Sequence, residues 1–357
     1  MLPSSIATEV VQWQIEHGRN HLPWQQTRDP YRVWLSEIML QQTQVATVLG
    51  YYERFLGKFP DVAALAAATQ DEVLALWSGL GYYTRARNLH KCAQEVVQKW
   101  QGRFPGSAQE LETLPGIGRS TAGAIAAFCF SERVPILDAN VRRVLTRVLG
   151  FDGDLANARN ERLLWDHAQQ LCPEDDLATS MPRYTQGMMD LGASVCLAQN
   201  PSCLVCPLQR QCVAARQGNP RDYPVRTRKL KRSAEAWWLL LATDVRQRVQ
   251  LQRRPATGIW AGLYSPPVFE SLEQLQAFAQ TQWPVSDSRR WTHLDAFTHV
   301  LTHKDLHLHP VLVPTDQPMP PGVAEPGQTL WADAAMVSTL GLPAPIRKLL
   351  EQHFASI

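Results

Sequence analysis

Glu37 is a carboxylate set among apolar residues, in the segment VWLSEIMLQQT at residues 33–43. Burying an unpaired carboxylate is costly, so such a residue is either salt-bridged or held for chemistry. Apolar surroundings raise the pKa of a carboxyl group and favour its protonated form near neutral pH. The sequence therefore makes Glu37 a candidate general acid.

Asp138 is a second candidate, in PILDANV at residues 135–141, directly before a helical stripe of valines and leucines. Its ordinary role there is to cap the helix, since an aspartate side chain accepts hydrogen bonds from the first free N–H groups. Those bonds predict a lowered pKa and an ionised side chain. A fixed, ionised carboxylate can also stabilise an oxocarbenium-like sugar cation. The residues alone leave both roles open.

Four of the seven cysteines crowd into CLAQNPSCLVCPLQRQC, residues 196–212. Cys196, Cys203, Cys206 and Cys212 are separated by six, two and five residues. Structural zinc sites usually use paired short spacings, whereas this stretch has a single CxxC. Thiolates on a short irregular segment can bind an iron–sulfur cluster. The spacing favours a [4Fe–4S] cluster, with zinc as the alternative.

LPGIG at residues 114–118 predicts a tight turn between two helices. Gly116 and Gly118 permit unusual dihedral angles and close backbone approach. The helix from Arg119 then begins with unpaired N–H groups, where the dipole favours an anion such as a DNA phosphate. A plain helical hairpin is the alternative.

Together these motifs carry a family resemblance. The cysteine spacing and LPGIG resemble the endonuclease III superfamily of DNA glycosylases, whose helix-hairpin-helix element precedes a [4Fe–4S] loop. WLSEIMLQQTQV at 34–45 and GLGYYTRARNL at 79–89 are similar to MutY-type adenine DNA glycosylases. The resemblance implies that Glu37 protonates N7 of a flipped adenine, that Asp138 stabilises the sugar cation, and that Asn140 positions the catalytic water.

The same resemblance implies DNA contacts. Gln42 and Tyr82 are expected to probe the strand opposite the target base, with Tyr82 as an aromatic wedge. Trp24 and Gln186 are expected to touch the adenine.

The hairpin residues Gly116, Gly118, Arg119 and Ser120 are expected to lie against DNA. Bifunctional relatives place a lysine at the position of Ser120 and form a Schiff base with the sugar. Serine cannot form this imine, which predicts hydrolysis without strand cleavage.

The C-terminal segment QRRPATGIWAGLYSPP, residues 252–267, resembles a Nudix-like domain but lacks the acidic magnesium-binding box. In MutY-type proteins this domain recognises 8-oxoguanine through a Phe-Ser-His loop, and the equivalent here is Leu301-Thr302-His303. Thr302 and His303 are expected to contact the lesion. The leucine departs from the family and puts the tightness of lesion discrimination in question.

The predicted fold is multi-domain. Residues 1–225 are expected to form an all-α helix-hairpin-helix glycosylase domain that includes the [4Fe–4S] loop, and residues 226–233 a basic linker. Residues 234–357, with strand-like segments and a closing helix, are expected to form an α+β Nudix-like domain. Net charge is only +2, so composition by itself indicates no nucleic-acid partner.

These observations predict a monofunctional enzyme that removes adenine mispaired with 8-oxoguanine or guanine in double-stranded DNA. Two alternatives stay open: an endonuclease III-like lyase acting on oxidised pyrimidines, and a non-catalytic DNA-binding redox module. With no signal peptide and no apolar run long enough to cross a membrane, we expect a cytoplasmic monomer, associated with the nucleoid when bound to DNA.

Overall fold

The structure, a computed structural model, describes residues 5–227, 231–283, 288–315 and 329–355. The described residues divide into two compact units. The first unit consists of described residues within Met1–Tyr52, Phe59–Ala66 and Lys91–Lys229. The second consists of described residues within Glu53–Lys58, Ala67–His90 and Leu230–Ile357. Part of the predicted basic linker, residues 228–230, lies outside the described residues.

The first unit is built from helices; α3, α4 and α6 contribute residues to both units, and α5 lies in the second unit. The helices up to residue 217 are α1 (Ile6–His17), α2 (Pro30–Leu40), α3 (Val45–Lys58), α4 (Val62–Ala67), α5 (Gln70–Trp77), α6 (Thr84–Trp100), α7 (Ala108–Leu111), α8 (Arg119–Phe130), α9 (Ala139–Leu149), α10 (Ala158–Gln170), α11 (Leu177–Ser194) and α12 (Val213–Gln217).

Local sequence signals explain the helices that carry the candidate residues. At α2, the side chain of Asp29 caps the helix by accepting from the backbone N–H of Tyr31, and Pro30 occupies the first helical position. The apolar stripe of α9 is buried in the core of the first unit, and the helix ends at Gly150 with φ of 63°. Each catalytic candidate is thus held on a helix anchored by its own apolar face.

Helix α11 contains a proline, Pro182, whose missing N–H cannot bond the carbonyl oxygen of Ala178 four residues earlier. The guanidinium of Arg28 donates to that oxygen at 2.7 Å. The carbonyl oxygen that the proline leaves without a helical partner is therefore hydrogen-bonded by a side chain from another segment.

The second unit contains a mixed eight-stranded sheet, in which β1 and β7 pair in parallel and all the other pairs are antiparallel. Its strands are β1 (Ser233–Thr243), β2 (Val249–Arg253), β3 (Tyr264–Ser265), β4 (Val268–Phe269), β5 (Thr292–His293), β6 (Phe297–Val300), β7 (Lys304–Pro314) and β8 (Thr329–Ala332). The path runs β3-β2-β1-β7-β5, with β4 on β1, β6 on β7 and β8 on β2.

Three further helices complete this unit: α13 (Leu272–Gln282), α14 (Ala334–Thr339) and α15 (Ala344–Ala355). Leu275 and Ala279 of α13 pack with Leu240 and Val311 of the sheet in one buried cluster. The predicted all-α and α+β architecture is confirmed. Among the described residues, no helix is long and apolar enough to span a membrane.

Candidate active site

A cavity of about 440 Å³ opens in the first unit beside Glu37. Trp24 reaches it from the short turn before α2, Phe128 from α8, and Gln186 from α11. Trp24 is 6% exposed and its ring packs edge-on against Tyr52 at 5.3 Å. The structure therefore brings together three residues that the family resemblance assigned to one site: Glu37, Trp24 and Gln186.

Glu37 is half-buried on α2. Burial, together with the negative charge of Asp138, raises the pKa of Glu37 to about 8. Among the described residues, no group donates a hydrogen bond to its carboxyl that would favour the charged form. The predicted protonated state at neutral pH follows from this environment.

Asp138 caps α9 and accepts from the backbone N–H of Val141 at 2.8 Å. The prediction of a lowered pKa is wrong in its direction: burial raises the pKa of Asp138 and outweighs the backbone N–H bonds and the nearby arginines. The backbone N–H groups and the arginines still stabilise the charged form of Asp138. Among the described residues, Glu37 has no comparable partner, so of the two carboxyl groups Asp138 is the one more readily ionised. Since the Asp138 charge acts on Glu37, the two carboxyls lie close enough to interact.

The peptide group of Leu137, just before Asp138, is held from both sides. Its N–H donates to Ser120 Oγ at 3.0 Å, and its carbonyl oxygen accepts from Arg142 Nε at 3.1 Å. Ser120 therefore occupies the start of α8 as a backbone acceptor, in the position where the resemblance places a lysine in bifunctional relatives.

Asn140 lies against α11, where a side chain in place of Gly192 would meet the Asn140 Cβ at 2.6 Å. Arg143 donates to Asn140 Oδ1 at 2.8 Å, to the Gly192 carbonyl at 2.6 Å and to the Cys196 carbonyl at 2.8 Å. Arg143, which the sequence analysis passed over, ties the start of α9 to the first cysteine of the loop.

The four loop cysteines line one small cavity, and all their thiols are free. Arg147 donates to Cys196 Sγ at 3.4 Å, and backbone N–H groups of Leu208 and Ala215 lower the pKa of Cys206 and Cys212 against the larger effect of burial. Donors aimed at sulfur suit a set of thiolates that hold a metal cluster.

The described residues contain no group of three histidine, cysteine or acidic side chains arranged to hold a metal ion. A zinc ion requires its thiolates about 2.3 Å from one centre. The four loop cysteines nevertheless share one cavity, so their thiols converge on a common space.

At the hairpin, Gly116 has φ of 78°, in the left-handed region that favours glycine. Gly118 caps α8 with an extended backbone, and a Cβ built on it would meet no atom within 4 Å. Gly118 is exposed, so its backbone is open to a partner. The guanidinium of Arg119 stacks over the ring of Trp165 at 4.0 Å.

Two exposed residues assigned to the opposite strand have strained backbones: φ is 56° at Gln42 and 48° at Tyr82. Left-handed φ is rare for side chains of this size and clusters at functional positions. Tyr82, Thr302 and His303 line a cavity of about 570 Å³ in the second unit, and the hydroxyls of Tyr82 and Thr302 hydrogen-bond each other. The structure thus brings these three residues together.

Asp190 was missed by the sequence analysis, although QGMMDLGA shows the same signal as the segment around Glu37. It is fully buried, accepts from Arg19 Nε at 2.7 Å and from the Arg19 backbone N–H at 2.9 Å, and accepts from Gln186 Nε2 at 2.8 Å. The same sequence pattern, a carboxylate among apolar residues, therefore occurs at two positions, Glu37 and Asp190, and only Asp190 is compensated by an arginine.

Comparison with known proteins identifies the families that the two parts of the chain match. Residues 35–170 match the HhH-GPD superfamily base excision DNA repair proteins, and residues 236–352 match a NUDIX domain. Among solved structures, a thermostable thymine-DNA glycosylase covers 59% of this chain and 95% of its own, with a TM-score of 0.53 and 27% identity.

Relatives extend over nearly the whole chain. The adenine DNA glycosylase of Buchnera aphidicola subsp. Acyrthosiphon pisum is 34% identical over 349 residues, which cover 98% of this chain and 97% of the relative. The adenine DNA glycosylase of Mus musculus is 33% identical over 418 aligned positions, which cover 98% of this chain and 78% of the relative. The chain therefore belongs to the adenine DNA glycosylases of the HhH-GPD superfamily.

Proposed function

We propose that this chain is a monofunctional base-excision repair enzyme that flips out and hydrolytically releases adenine mispaired with 8-oxoguanine and, more slowly, with guanine. The observation that carries the proposal is the pair formed by Glu37 and Asp138. Glu37 borders the cavity with a pKa raised to about 8, and the Asp138 carboxylate lies near enough to contribute to that shift.

The chemistry follows from the two environments. A target base inside a duplex is out of reach, so the nucleotide must turn into the cavity at a cost of about a few kcal/mol. Glu37 then donates its proton to N7 of the base, and the glycosidic bond breaks with its electron pair leaving on adenine. The Asp138 carboxylate stabilises the sugar cation that remains.

Water completes the reaction by adding to the sugar C1′. The Glu37 carboxylate, having lost its proton, is able to accept one from this water. Asn140, held by Arg143, is the candidate for positioning the water. Ser120 supplies no amine for a Schiff base, and its hydroxyl is already bonded to the Leu137 N–H. Hydrolysis without strand cleavage is therefore the expected outcome.

DNA binding is proposed for the hairpin, for Gln42 of the first unit and for three residues of the second unit. Gly116, Gly118, Arg119 and Ser120 begin α8, whose free N–H groups suit a phosphate. Tyr82, Gln42, Thr302 and His303 are proposed to contact the strand opposite adenine, with the Thr302 hydroxyl as the hydrogen-bonding group toward 8-oxoguanine. The partner is double-stranded DNA, and we propose that the protein acts as a cytoplasmic monomer.

A [4Fe–4S] cluster is proposed on the cysteine loop. Cys196, Cys203, Cys206 and Cys212 would hold it, and the N–H donors around their sulfur atoms support that assignment. Its contribution would be to fix the loop that Arg143 and Arg147 tie to α9. The glycosylase steps themselves use only the carboxyl groups and water.

Product analysis on defined duplexes tests the proposal. With adenine opposite 8-oxoguanine, we expect free adenine, an intact abasic strand and little borohydride trapping of the wild-type protein. Cleaved strands with efficient trapping would indicate the lyase alternative. Binding without release of any base would indicate the non-catalytic DNA-binding alternative.

A further inference from the structure

The predicted basic linker, residues 226–233, leads into β1 next to the turn that joins β6 to β7. This β6–β7 turn consists of residues 301–303, which carry the proposed lesion contacts. Arg232, the last basic residue of the linker, reaches the turn. Its Nη1 donates to the Thr302 carbonyl oxygen at 3.1 Å, and its Nη2 pairs with the Asp305 carboxylate. The end of the linker therefore bonds directly to the segment that is proposed to read the lesion.

The backbone of the β6–β7 turn is bonded on both sides. Towards the linker, the Ser233 N–H donates to the His303 carbonyl oxygen at 3.1 Å. Within the hairpin, the Leu301 N–H donates to the Lys304 carbonyl oxygen at 2.8 Å. Two successive linker residues thus donate to two successive carbonyl groups of the turn.

Thr302 is held at two points, although it is exposed. Its carbonyl oxygen accepts from Arg232, and its hydroxyl hydrogen-bonds the Tyr82 hydroxyl. On an exposed turn, packing constrains a side chain little, so the orientation of the backbone largely sets the position of the hydroxyl. A bond to the carbonyl oxygen of the same residue therefore lowers the entropic cost of presenting that hydroxyl to a ligand.

Arginines in a basic linker commonly bind DNA phosphates, and Arg226 and Arg232 differ in their freedom to do so. The Arg232 guanidinium is bonded to a carbonyl oxygen and to a carboxylate, which neutralises its charge. Arg226 is exposed, and among the described residues it has no hydrogen-bond or ion-pair partner. Arg232 is therefore engaged within the protein, whereas Arg226 is a basic residue of the same linker that is not.

We propose that Arg232 is a positioning residue that fixes the β6–β7 turn through the Thr302 carbonyl oxygen and thereby contributes to the preference for 8-oxoguanine over guanine opposite adenine. The inference rests on the proposed function and deepens it, since it assigns part of the lesion preference to the end of the basic linker. The role is indirect, because Arg232 acts through the backbone of the residue whose hydroxyl faces the lesion.

Competitive excision of adenine from duplexes that carry 8-oxoguanine or guanine in the opposite strand measures this preference. In Arg232→Leu we expect the preference for 8-oxoguanine to fall about 3-fold. The factor is small because the Arg232 side chain is 44% exposed, and exposed ion pairs contribute little. Asp305→Ala should also lower the preference, since it removes one of the two anchors of the guanidinium. Arg226→Leu is the matched control and should keep the wild-type preference.

The double variant Arg232→Leu with Thr302→Val separates positioning of the hydroxyl from a general loss of structure. Without the Thr302 hydroxyl, Arg232 has no group to position, so the double variant should show the same preference as Thr302→Val alone. A further fall of the preference in the double variant would show that Arg232 acts independently of that hydroxyl, and would overturn the inference.

The dependence of DNA affinity on salt distinguishes positioning from a phosphate contact. We expect Arg232→Leu to keep the wild-type salt dependence. If Arg232 bound a phosphate, Arg232→Leu would weaken binding of both duplexes equally and reduce the salt dependence. Asp305→Ala would then strengthen binding of both, and neither variant would alter the preference.

That second pattern would overturn the inference while leaving the proposed function in place. A wild-type protein that releases adenine from neither duplex would remove the proposed function and the inference with it.

Discussion

Asp190 and Glu37 are both carboxyl groups on helices of the first unit, and their surroundings give them opposite tasks. Asp190 accepts three hydrogen bonds, two of them from Arg19, and its charge is compensated. Glu37 faces a cavity and has no such partner among the described residues, and its pKa is raised to about 8. A compensated carboxylate can orient its neighbours, whereas an uncompensated one holds a proton that it can give away.

The raised pKa of Glu37 makes folding stability depend on pH. Between an unfolded pKa near 4.3 and the folded value, the folded protein holds a proton that the unfolded chain has lost. The free energy of unfolding contributed by this group therefore falls as pH rises through that window, by at most about 1.4 kcal/mol per pH unit.

We expect Glu37→Gln to gain stability relative to wild type as pH rises from about 5.5 to 8, by on the order of 1 kcal/mol or more. Urea unfolding at the two pH values measures the change. Glu112→Gln, at an exposed position, is the control. A constant difference between Glu37→Gln and wild type at both pH values would contradict the raised pKa.

Much at this scale could be predicted from sequence, because an acidic residue in an apolar helix and an aspartate before a helix are local signals. The net effect on Asp138 could not. Its capping bonds are local, but the burial that outweighs them comes from segments distant in the chain. The contact of Asp190 with Arg19 joins residues 171 positions apart, which no local pattern encodes.

In the hairpin before α8, the two glycines have different roles: one is required by the backbone conformation, and the other leaves space beside the start of the helix. Gly116 needs glycine for its left-handed backbone, whereas Gly118 has an extended backbone and open space around it. Within the described part of the chain, no neighbouring atom requires a glycine at position 118. A DNA backbone approaching the start of α8 would.

Gly118→Ala should therefore fold normally, with a thermal midpoint close to that of wild type, while affinity for mismatched DNA falls about 10-fold as the new methyl group meets the phosphate backbone. Fluorescence anisotropy with a labelled duplex measures the affinity. Gly106→Ala, also in open space, should leave affinity unchanged. Unaltered binding by Gly118→Ala would remove the hairpin from the DNA interface.

The cysteine loop makes a separate prediction. Cys206→Ala should lose iron, acid-labile sulfide and the broad visible absorption of an iron–sulfur cluster, because one of four ligands is removed. Cys92→Ala, a buried cysteine on α6, should retain them. Elemental analysis that finds zinc in place of iron would favour the alternative that the spacing left open.

Over the whole molecule, the chain order of the fold classes was predictable, because helical periodicity gives way to strand-like segments separated by Gly and Pro turns near residue 233. It was harder to predict which chain segments belong to which unit. Residues Ala67–His90 group with the C-terminal residues, which brings Tyr82 to Thr302 across 220 positions. Only long-range packing determines that pairing.

The cavity around these two hydroxyls gives a prediction about lesion preference. Thr302→Val should reduce the preference for 8-oxoguanine over guanine opposite adenine by up to about 10-fold, because one hydrogen bond to the lesion is lost. Competitive excision from the two duplexes measures it. The control is Thr298→Val, since Thr298 is exposed on β6 and lies outside that cavity; this variant should keep the wild-type preference. An unchanged preference in Thr302→Val would show that the hydroxyl makes no contact with the lesion.

The proton on Glu37 is the centre of the account, and Glu37→Gln removes it with little change in shape. Single-turnover adenine release and mismatch affinity should be measured on the same preparation. We expect affinity within a few-fold of wild type and a rate lowered by at least about 100-fold, the usual contribution of a general acid. Release at the wild-type rate would contradict the assignment.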